Sequence, residues 1–564
     1  MFDPVFTIDN ECQDCYKCVR HCHCKAIRIV DGHASVIRES CVACGECVKI
    51  CPAHAKKIRT DLARLKQLLK SGKNVHASIA PSFAAYFTGV SLEQLSSALR
   101  KLGFSGVSET ALGAQRVSVQ TAEFLKSTDL PLAISSACPA CVDYIQKYHP
   151  DFTKNIVPLY SPILAHCRMI KEQFGEDTAV VFFGPCAAKK NEADRHPDIL
   201  NLAVTFSALE EFFNEKGIDP AKEEADKLFD NPAEEGRFYA IEGGMNDTLR
   251  SESQNVRYLS VSGLVNLDRL LSGATFKSSG GRTIFIEALA CPGGCINGPV
   301  IGSNSNAMDV IMATDKISSL QNSLNRPAGE MLFEKPAARP QKPSQPTAQE
   351  ISSALHRVGK YTREDELNCG ACGYNTCREF ARALLEHKAE EAMCHTYLRK
   401  NFERTSNALI RFIPAGVVIV NDQLRVTECN RNFAKMTELD DVFDTLGNLN
   451  TFDIKDLLPD FADIFASVIE NGGEISKINQ KFKDRIVNIS VFTIARDKSA
   501  GAVIQDVTKN ELQRELVAEK AREVIRKNVL TVQQVARLFG EHVADTEILL
   551  NEIAGVYEPR RGSK

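Results

Sequence analysis

Consecutive apolar residues alternate with amphipathic stretches between residues 61 and 325. The apolar runs at 75–80, 132–135, 179–183 and 283–288 are typical of strands that are buried on both faces. Segments between them, such as LARLKQLLK from Leu62, have the spacing of helices. Strands that alternate with helices in this way predict a parallel sheet covered by helices. We therefore predict an α/β domain over residues 61–325.

The pattern changes after residue 400. Residues 401–510 contain a predicted helix that ends near FIP, the strands GVVIVN and LRVTEC, the helix NRNFAKMTE, and the late strands RIVNISVFTI and AGAVIQDVT. Short strands interleaved with single helices predict a small α+β domain.

A long C-terminal helix is predicted over residues 511–564, with Gly540 as its strongest interruption up to about residue 554. Val517, Val524, Val535 and Leu538 recur in it at roughly heptad spacing. This spacing is compatible with a helix that joins two copies of the chain or docks a partner. It is equally compatible with a helix packed on its own domain. Upstream, residues 326–350 are rich in proline and polar side chains and predict a semi-rigid linker.

Composition places the chain among soluble multidomain proteins. Its 564 residues exceed what one core can hold, and 44% apolar and 25% charged residues are ordinary values. The net charge of −4 lacks the positive excess that is typical of nucleic-acid-binding proteins. Apolar runs are too short to span a membrane, and the acidic N-terminus is unlike a secretory signal. We therefore expect a cytoplasmic protein without nucleic-acid or membrane partners.

Twenty cysteines, gathered in short groups, give the chain its chemistry. In a cytoplasmic protein such grouping favours metal binding over disulfides, because thiols are kept reduced and thiolates bind soft metals. Residues 1–60 contain two runs with the spacing C-x2-C-x2-C-x3-C, in which three cysteines wrap one [4Fe–4S] cube and the fourth binds the other cube. Zinc in the same loops is the alternative. We predict one cluster on Cys12, Cys15, Cys18 and Cys51, and a second on Cys41, Cys44, Cys47 and Cys22.

Residues 351–400 carry another group, Cys369, Cys372, Cys377 and Cys394, with the pattern CGACGYNTC followed by a distant cysteine. The pattern resembles a small [4Fe–4S] domain found in several redox proteins. Four cysteines alone are also compatible with zinc.

Three loops of the α/β domain, ISSACPAC, FFGPCAAKKNE and EALACPGGCINGP, each follow an apolar run. Sites of open α/β sheets gather at strand ends, so these loops are expected to converge. Together they resemble the signature loops of [FeFe]-hydrogenases, TSCCP, PCxxKxxE and ExMACxxGCxxG. The resemblance covers about residues 1–305, and Glu192 and Glu287 match the glutamates of the second and third loops.

This resemblance implies an H-cluster, which joins a [4Fe–4S] cluster to a di-iron subsite carrying CO and CN⁻. Lys189 would hydrogen-bond one cyanide, and Cys295 would also bridge to the di-iron subsite. The residues implied as cluster ligands are Cys138, Cys186, Cys291 and Cys295, and those implied near the other cyanide are Ala80, Pro81 and Ser82. Together, the predicted ligand sets amount to four [4Fe–4S] clusters.

The loops also depart from the family pattern. Ala137 stands where fast hydrogenases carry a cysteine that relays protons, and a methyl group cannot do so. Leu289 and Gly184 replace methionines, and Gln120 stands where a glutamate of the proton path is expected. Cys141 is either a displaced proton relay or a small buried side chain. We therefore expect slow turnover.

Residues 401–510 resemble a PAS domain, most visibly in IPAGVVIVNDQLRVTECNRNFAKM. The complete set of modules resembles the sensory subgroup of the family. It implies a sensor of H2 or redox state with slow, reversible H2 oxidation and a signalling partner, such as a serine phosphatase or kinase. Ferredoxin or another hydrogenase subunit would exchange electrons with it, and PAS or the terminal helix would form a homodimer. The alternatives are an ordinary catalytic hydrogenase subunit and a non-catalytic electron-transfer scaffold.

Overall fold

The computed structural model describes residues 3–226, 233–249, 255–273, 282–301, 307–318, 333–341, 345–450, 452–496 and 498–539. The chain divides into two compact units, Met1–Leu398 and Arg399–Lys564. Throughout the described ranges, no helix combines the length and apolar character needed to cross a membrane.

The first unit begins with a small module of two short antiparallel sheets. Its strands are β1 (Val5–Thr7), β2 (Ile27–Val30), β3 (His33–Val36) and β4 (Lys56–Ile58), with β1 paired to β4 and β2 to β3. The Lys56 ammonium donates to the Ala34 carbonyl over 2.9 Å and links the two sheets. The helices Lys17–His21 and Glu46–Lys49 each span about one turn. Two-stranded sheets of this length are marginal by themselves, so the two clusters predicted in residues 1–60 would stabilise the module.

Two parallel sheets form the next domain. One has the strand order β6-β5-β8-β9 and the other β10-β11-β7, and every pair is parallel. The carboxyl ends of paired strands therefore lie at one edge of each sheet. The four predicted apolar runs are confirmed as strands, and the α/β prediction is confirmed. The strands are β5 (Val75–Ile79), β6 (Gly106–Glu109), β7 (Leu132–Ile134), β8 (Ala179–Gly184), β9 (Leu202–Thr205), β10 (Val256–Ser262) and β11 (Thr283–Leu289).

Helices pack on these strands because each buries an apolar face, as in Leu92–Lys101, where Leu92, Leu95 and Leu99 are buried. The remaining helices of the domain are Leu62–Leu69, Phe83–Tyr86, Thr110–Ser127, Pro139–Tyr148, Pro162–Phe174, Ala188–Arg195, Phe206–Lys216, Gly244–Leu249, Leu264–Gly273 and Ala307–Ser318.

The described part of the predicted linker, 333–341, lies on the α/β domain. Its backbone amides at Glu334 and Arg339 donate to the carbonyls of Pro158 and Gln146 over 3.1 and 2.9 Å. The Arg339 guanidinium also donates to Asp143 over 2.7 Å. This segment therefore follows the domain surface instead of spacing two modules apart. Residues 326–332 and 342–344 lie outside the described ranges.

A small helical module completes the first unit. Helix Ala348–Arg357 begins with a capping box, in which Thr347 Oγ1 accepts from the Glu350 amide and the Glu350 carboxylate accepts from the Thr347 amide. Helix Cys377–Leu385 packs against it through Ile351 and Ala381. The next helix, His395–Phe412, starts directly after Cys394.

The second unit contains a five-stranded antiparallel sheet of order β13-β12-β16-β15-β14. Its core includes the fully buried Phe433 and Phe465. The strands are β12 (Gly416–Asn421), β13 (Val426–Cys429), β14 (Glu474–Phe482), β15 (Arg485–Ala495) and β16 (Ser499–Asp506), and the helices are Arg431–Thr437, Asp440–Leu446, Ile454–Leu457, Ala462–Asn471 and Thr508–Phe539. The predicted α+β domain is confirmed.

Helix Thr508–Phe539 begins where the C-terminal helix was predicted. Val517 and Val524 are 46% and 54% exposed within the described residues. The positions of the Val535 and Leu538 side chains, and all residues from 540 onward, lie outside the described part of the chain.

Candidate functional site

Four cysteines of the large domain follow the carboxyl ends of three parallel strands. Cys138 follows β7, Cys186 follows β8, and Cys291 and Cys295 follow β11. Open α/β sheets place their binding sites at this edge. Cys138, Cys186 and Cys295 line one cavity, and the Cys291 thiol interacts with the thiols of the other three. The structure therefore brings together the four cysteines that the sequence predicts to share a cluster.

The protonation of these thiols follows from their surroundings. Burial raises the pKa of Cys186 to about 11 and that of Cys295 to about 12. The pKa of Cys138 is lowered to about 6, chiefly because the Cys141 thiol donates a hydrogen bond to it. Metal ligation requires thiolates. A bound cluster would therefore stabilise the deprotonated Cys186 and Cys295 that burial otherwise disfavours.

Gly294 allows the loop between Cys291 and Cys295 to pass close to its neighbours. Its φ is 103°, and a Cβ atom there would lie 2.5 Å from the Ala240 carbonyl oxygen. Both the left-handed backbone and the close approach exclude a larger side chain. The glycine pair between the two cysteines therefore has a steric role in bringing their thiols together.

The cavity beside the cysteines encloses about 90 Å³ and has mainly apolar walls. Ser82 is fully buried in the wall, and its hydroxyl has no hydrogen-bond partner among the described residues. An unsatisfied buried hydroxyl costs free energy, so this hydroxyl fits a bound group that offers an acceptor. Ala80 and Pro81 line the cavity beside it, and their place near a cyanide stays a prediction.

Lys189 supplies a cation to the same cavity. Its ammonium donates to Glu192 Oε2 over 2.7 Å and to Ser161 Oγ over 3.2 Å. The Lys189 and Glu192 side chains are only 12% and 6% exposed. Glu192 therefore fixes the orientation of Lys189. Four convergent thiols, a cation and an unpaired hydroxyl around an apolar cavity fit an H-cluster.

Ala137 also lines the cavity. The position that lacks the relay thiol therefore faces the predicted site. Gln120 is buried in helix Thr110–Ser127 but is not among the described residues that line the cavity. Cys141 lies against Cys138 in the apolar core and likewise does not belong to the described cavity wall. Its role as a displaced relay stays a prediction.

Glu287 is a cavity residue whose chemistry the sequence did not indicate. It is 1% exposed, and burial raises its pKa to about 7. Its carboxylate accepts from the Met245 amide and from Ser260 Oγ, each over 3.1 Å. The sequence shows that Glu287 belongs to the EALAC motif. Its raised pKa depends on burial in the folded chain, which no local sequence pattern indicates.

The second cysteine run of the N-terminal module borders this site. Cys44 shares a small apolar cluster with Cys138 and Cys186. Gly45, with φ of 80°, approaches Pro299 so closely that a Cβ atom would lie 2.5 Å from the proline ring. The second run therefore packs directly on the large domain.

Two cysteines of the 365–395 segment, Cys372 and Cys394, border the first run. Cys394 and Cys18 are buried in one apolar cluster, and Cys372 and Cys22 pack at its margin. The sequence predicted both cysteine sets but offered no signal that the modules make contact. Burial raises the pKa of Cys372.

Residues 73–299 match the family model of the iron only hydrogenase large subunit, C-terminal domain. This part of the chain is therefore similar to the C-terminal domain of iron-only hydrogenase large subunits. Residues 34–57, which include the second cysteine run, match a 4Fe-4S binding domain, and residues 404–477 match a PAS domain. Residues 365–395 match a family described as an Fe-S cluster. The predicted hydrogenase, ferredoxin-like and PAS domains are thereby confirmed.

Relatives of the hydrogenase domain are distant. Iron hydrogenase 1 of Clostridium pasteurianum is 27% identical over 308 residues, which are 44% of this chain and 53% of the relative. The NADP-reducing hydrogenase subunit HndD of Solidesulfovibrio fructosivorans is 26% identical over 331 residues, 46% of this chain and 55% of the relative. The chain spans about half the length of these two proteins. A solved [FeFe]-hydrogenase HydA1 variant from Chlamydomonas reinhardtii has a TM-score of 0.40 and 19% identity, covering 50% of this chain and 99% of that one.

Proposed function

We propose that this chain is a cytoplasmic sensor of H2 or redox state that performs slow, reversible H2 oxidation at an H-cluster and reports the outcome through its PAS domain. The observation that carries the proposal is the pairing of an intact binding site with a missing relay. Cys295 and Lys189 line the cavity, and so does Ala137. Such a site can hold the cofactor but lacks the thiol that supports fast proton transfer.

The residues that would hold the H-cluster are those that converge at the strand ends. Cys138, Cys186, Cys291 and Cys295 would bind its [4Fe–4S] part, and Cys295 would also bridge to the di-iron subsite. Lys189 and Ser82 would donate hydrogen bonds to its cyanides, because both present donors to the cavity. When bound, the H-cluster supplies the iron chemistry that interconverts H2 with two protons and two electrons.

The chain itself would provide orientation, a dry environment and a proton acceptor. Glu192 holds Lys189 in place, and the apolar walls, including Phe182 and Leu289, exclude water. Glu287 lines the cavity with a pKa raised by burial to about 7. A carboxyl with this pKa can hold or release a proton at neutral pH. Glu287 would thereby support proton transfer. Turnover would still be slow, because Ala137 replaces the cysteine whose thiol relays protons in fast hydrogenases.

Electrons would leave the site through the ferredoxin-like module, because Cys44 borders Cys138 and Cys186. The predicted clusters on the two cysteine runs would carry them to a ferredoxin or to another hydrogenase subunit. Both relatives named above are hydrogenases or hydrogenase subunits, and this supports such a redox partner.

Signalling would use the modules after residue 350. The 365–395 segment would bind a fourth [4Fe–4S] cluster, and the PAS domain would contact a protein partner such as a serine phosphatase or kinase. Leu512, Leu516, Val517 and Val524 on helix Thr508–Phe539 are about half exposed. These exposed apolar side chains support the helix as a homodimer contact.

The experiment that tests the proposal is anaerobic maturation of the full chain, followed by infrared spectroscopy and an H2 oxidation assay. We expect bands of iron-bound CO and CN⁻ together with slow H2 oxidation. Absence of these bands after maturation that succeeds on a control hydrogenase would contradict any hydrogenase chemistry and favour an electron-transfer scaffold. Turnover as fast as that of the control would contradict the sensor and favour a catalytic subunit.

A further inference from the structure

The 365–395 module packs directly on the ferredoxin-like module within the first unit. The Ile29 amide donates to the Lys388 carbonyl over 3.0 Å, and the Gly32 amide donates to Glu390 Oε2 over 3.3 Å. Gly373, with φ of 92°, lies so close that a Cβ atom would be 2.8 Å from Val19 Cγ1. Backbone bonds and a glycine contact of this kind indicate a specific interface.

Lys25 lies at this interface. Its ammonium donates to the Gly373 carbonyl over 2.7 Å and to the Val19 carbonyl over 3.3 Å, so it bonds to both modules. The same nitrogen lies 5.5 Å from the centroid of the Tyr374 ring, a cation–π distance. Lys25 is thereby fixed in one position instead of extending into solvent.

The charge of Lys25 acts on both cysteine sets. Burial lowers the pKa of the Lys25 ammonium, whereas the nearby Cys22, Glu379 and Cys372 oppose that shift. Cys22 belongs to the second predicted ferredoxin-like ligand set, and Cys372 belongs to the 369–394 set. One cation therefore interacts with ligands of two predicted clusters.

The surroundings of Lys25 limit the screening of this charge. Tyr374 is 5% exposed, and its hydroxyl has no hydrogen-bond partner among the described residues. It is buried in the apolar cluster that also contains Cys18 and Cys394. Charges interact more strongly in such an environment than in water.

We propose that Lys25 is a shared counter-charge of the two flanking clusters and that the 365–395 module exchanges electrons with the ferredoxin-like module through this interface. The inference rests on the proposed function for the identity of the clusters. The step is a one-electron transfer, in which a reduced ferredoxin-like cluster loses one electron and the 369–394 cluster gains it. A fixed cation stabilises the reduced, more negative state, so Lys25 raises both reduction potentials.

The test is a redox titration of the full chain, loaded with clusters under anaerobic conditions, reduced with dithionite and followed by electron paramagnetic resonance. Lys25→Met removes the charge and keeps most of the stem, and Lys25→Arg retains the charge. The control is Lys49→Met, because Lys49 belongs to the same module but lines a cleft with Cys44 and Cys291. Iron, sulfide and zinc contents are measured for every variant.

We expect Lys25→Met to move the potentials of the 369–394 cluster and of a ferredoxin-like cluster to more negative values. Lys25→Arg should move both back towards the unmodified protein, and Lys49→Met should leave the 369–394 potential unchanged. Any of three results would overturn the proposal. The reduction potential of the 369–394 cluster could be unchanged in Lys25→Met, or it could shift equally in Lys49→Met. The 369–394 site could also contain zinc. If CO and CN⁻ bands are absent but Lys25→Met still shifts both potentials, the hydrogenase proposal fails and the counter-charge proposal stands.

Discussion

The Lys189 ammonium donates a 2.7 Å hydrogen bond to Glu192 Oε2, one helical turn away, and both side chains are largely buried beside the cavity. Glu192→Gln removes the negative charge and leaves the buried cation without its ionic partner. Because an uncompensated buried charge is costly, we expect the free energy of unfolding to fall by about 3 kcal/mol. Urea unfolding of the cluster-free protein measures this effect.

A matched control is Asp219→Asn. Asp219 and Lys222 have the same i,i+3 spacing, but their side chains are 48% and 83% exposed. Exposed pairs contribute little, so this variant should unfold like the unmodified protein. In matured protein, Glu192→Gln should also shift or broaden the cyanide infrared bands, because Lys189 loses its anchor. Unchanged stability and unchanged bands would contradict the orienting role of Glu192.

Glu287 predicts a pH dependence of stability. Burial raises its pKa from 4.5 to about 7 in the folded chain, so between these values the folded state binds a proton that the unfolded state has lost. Stability should therefore decline as pH rises from 4.5 through 7, by about 3 kcal/mol in total. Urea unfolding of the cluster-free protein at pH 5 and pH 8 measures this decline, and Glu287→Gln should reduce it.

The corresponding control is Glu242→Gln, at an exposed carboxyl that accepts a hydrogen bond from Ser262. In Glu242→Gln, the free energy of unfolding should decline with rising pH as much as in the unmodified protein. Infrared difference spectra offer a direct measurement, since a protonated carboxyl band should persist up to about pH 7 and disappear in Glu287→Gln. A Glu287 carboxyl that is fully ionised at pH 5 would contradict this prediction.

Local patterns were sufficient for β5, β7, β8 and β11, because strands buried on both faces consist of consecutive apolar residues. They were not sufficient for β6 (GVSE) or for β10 (VRYLSVS), whose residues are largely polar or partly exposed. In the PAS domain, β14 (EISKINQKF) was missed for the same reason, since most of its side chains are exposed. Such strands are determined by pairing with neighbours instead of by their own composition.

The same distinction holds at the site. The resemblance of two loops to [FeFe]-hydrogenase signature loops implied roles for Cys138, Cys186 and Lys189, and such motifs can be read because they are local in sequence. The titration of Glu287 and the interface role of Lys25 depend on which distant residues surround them, so neither has a local signal. The docking of the 365–395 module depends likewise on contacts such as that between Gly373 and Val19, which are more than 350 positions apart.

Gly294 predicts a steric limit on cluster binding. Gly294→Ala would place a Cβ atom 2.5 Å from the Ala240 carbonyl oxygen in a backbone with φ of 103°. The loop must shift to relieve this contact, which would displace the thiols of Cys291 and Cys295. We expect the variant to fold but to lose about one [4Fe–4S] cluster, as measured by iron and sulfide content after reconstitution.

Gly273→Ala is the control for this substitution. Gly273 ends helix Leu264–Gly273, and a Cβ atom there would meet no described atom within 4 Å. Alanine at such a position is tolerated or mildly stabilising, so iron content should be unchanged. Full iron content in Gly294→Ala would show that the loop accommodates the methyl group without moving its cysteines.

Ala137→Cys tests whether a missing proton relay limits turnover. Ala137 lines the cavity beside Cys138, so a thiol at this position would face the predicted site. Positioned acid–base groups typically contribute about 10² to 10⁴ in rate, and we expect a gain within this range in the H2 oxidation rate of matured protein. Ala137→Ser is the control, because it adds a group of similar size that ionises far less readily than a thiol.

If Ala137→Cys binds a complete cofactor by infrared spectroscopy and still turns over at the original rate, proton transfer at this position does not limit the reaction. The cause of slow turnover would then lie elsewhere, most directly in the packing of Leu289 against the cavity or in electron exit past Cys44.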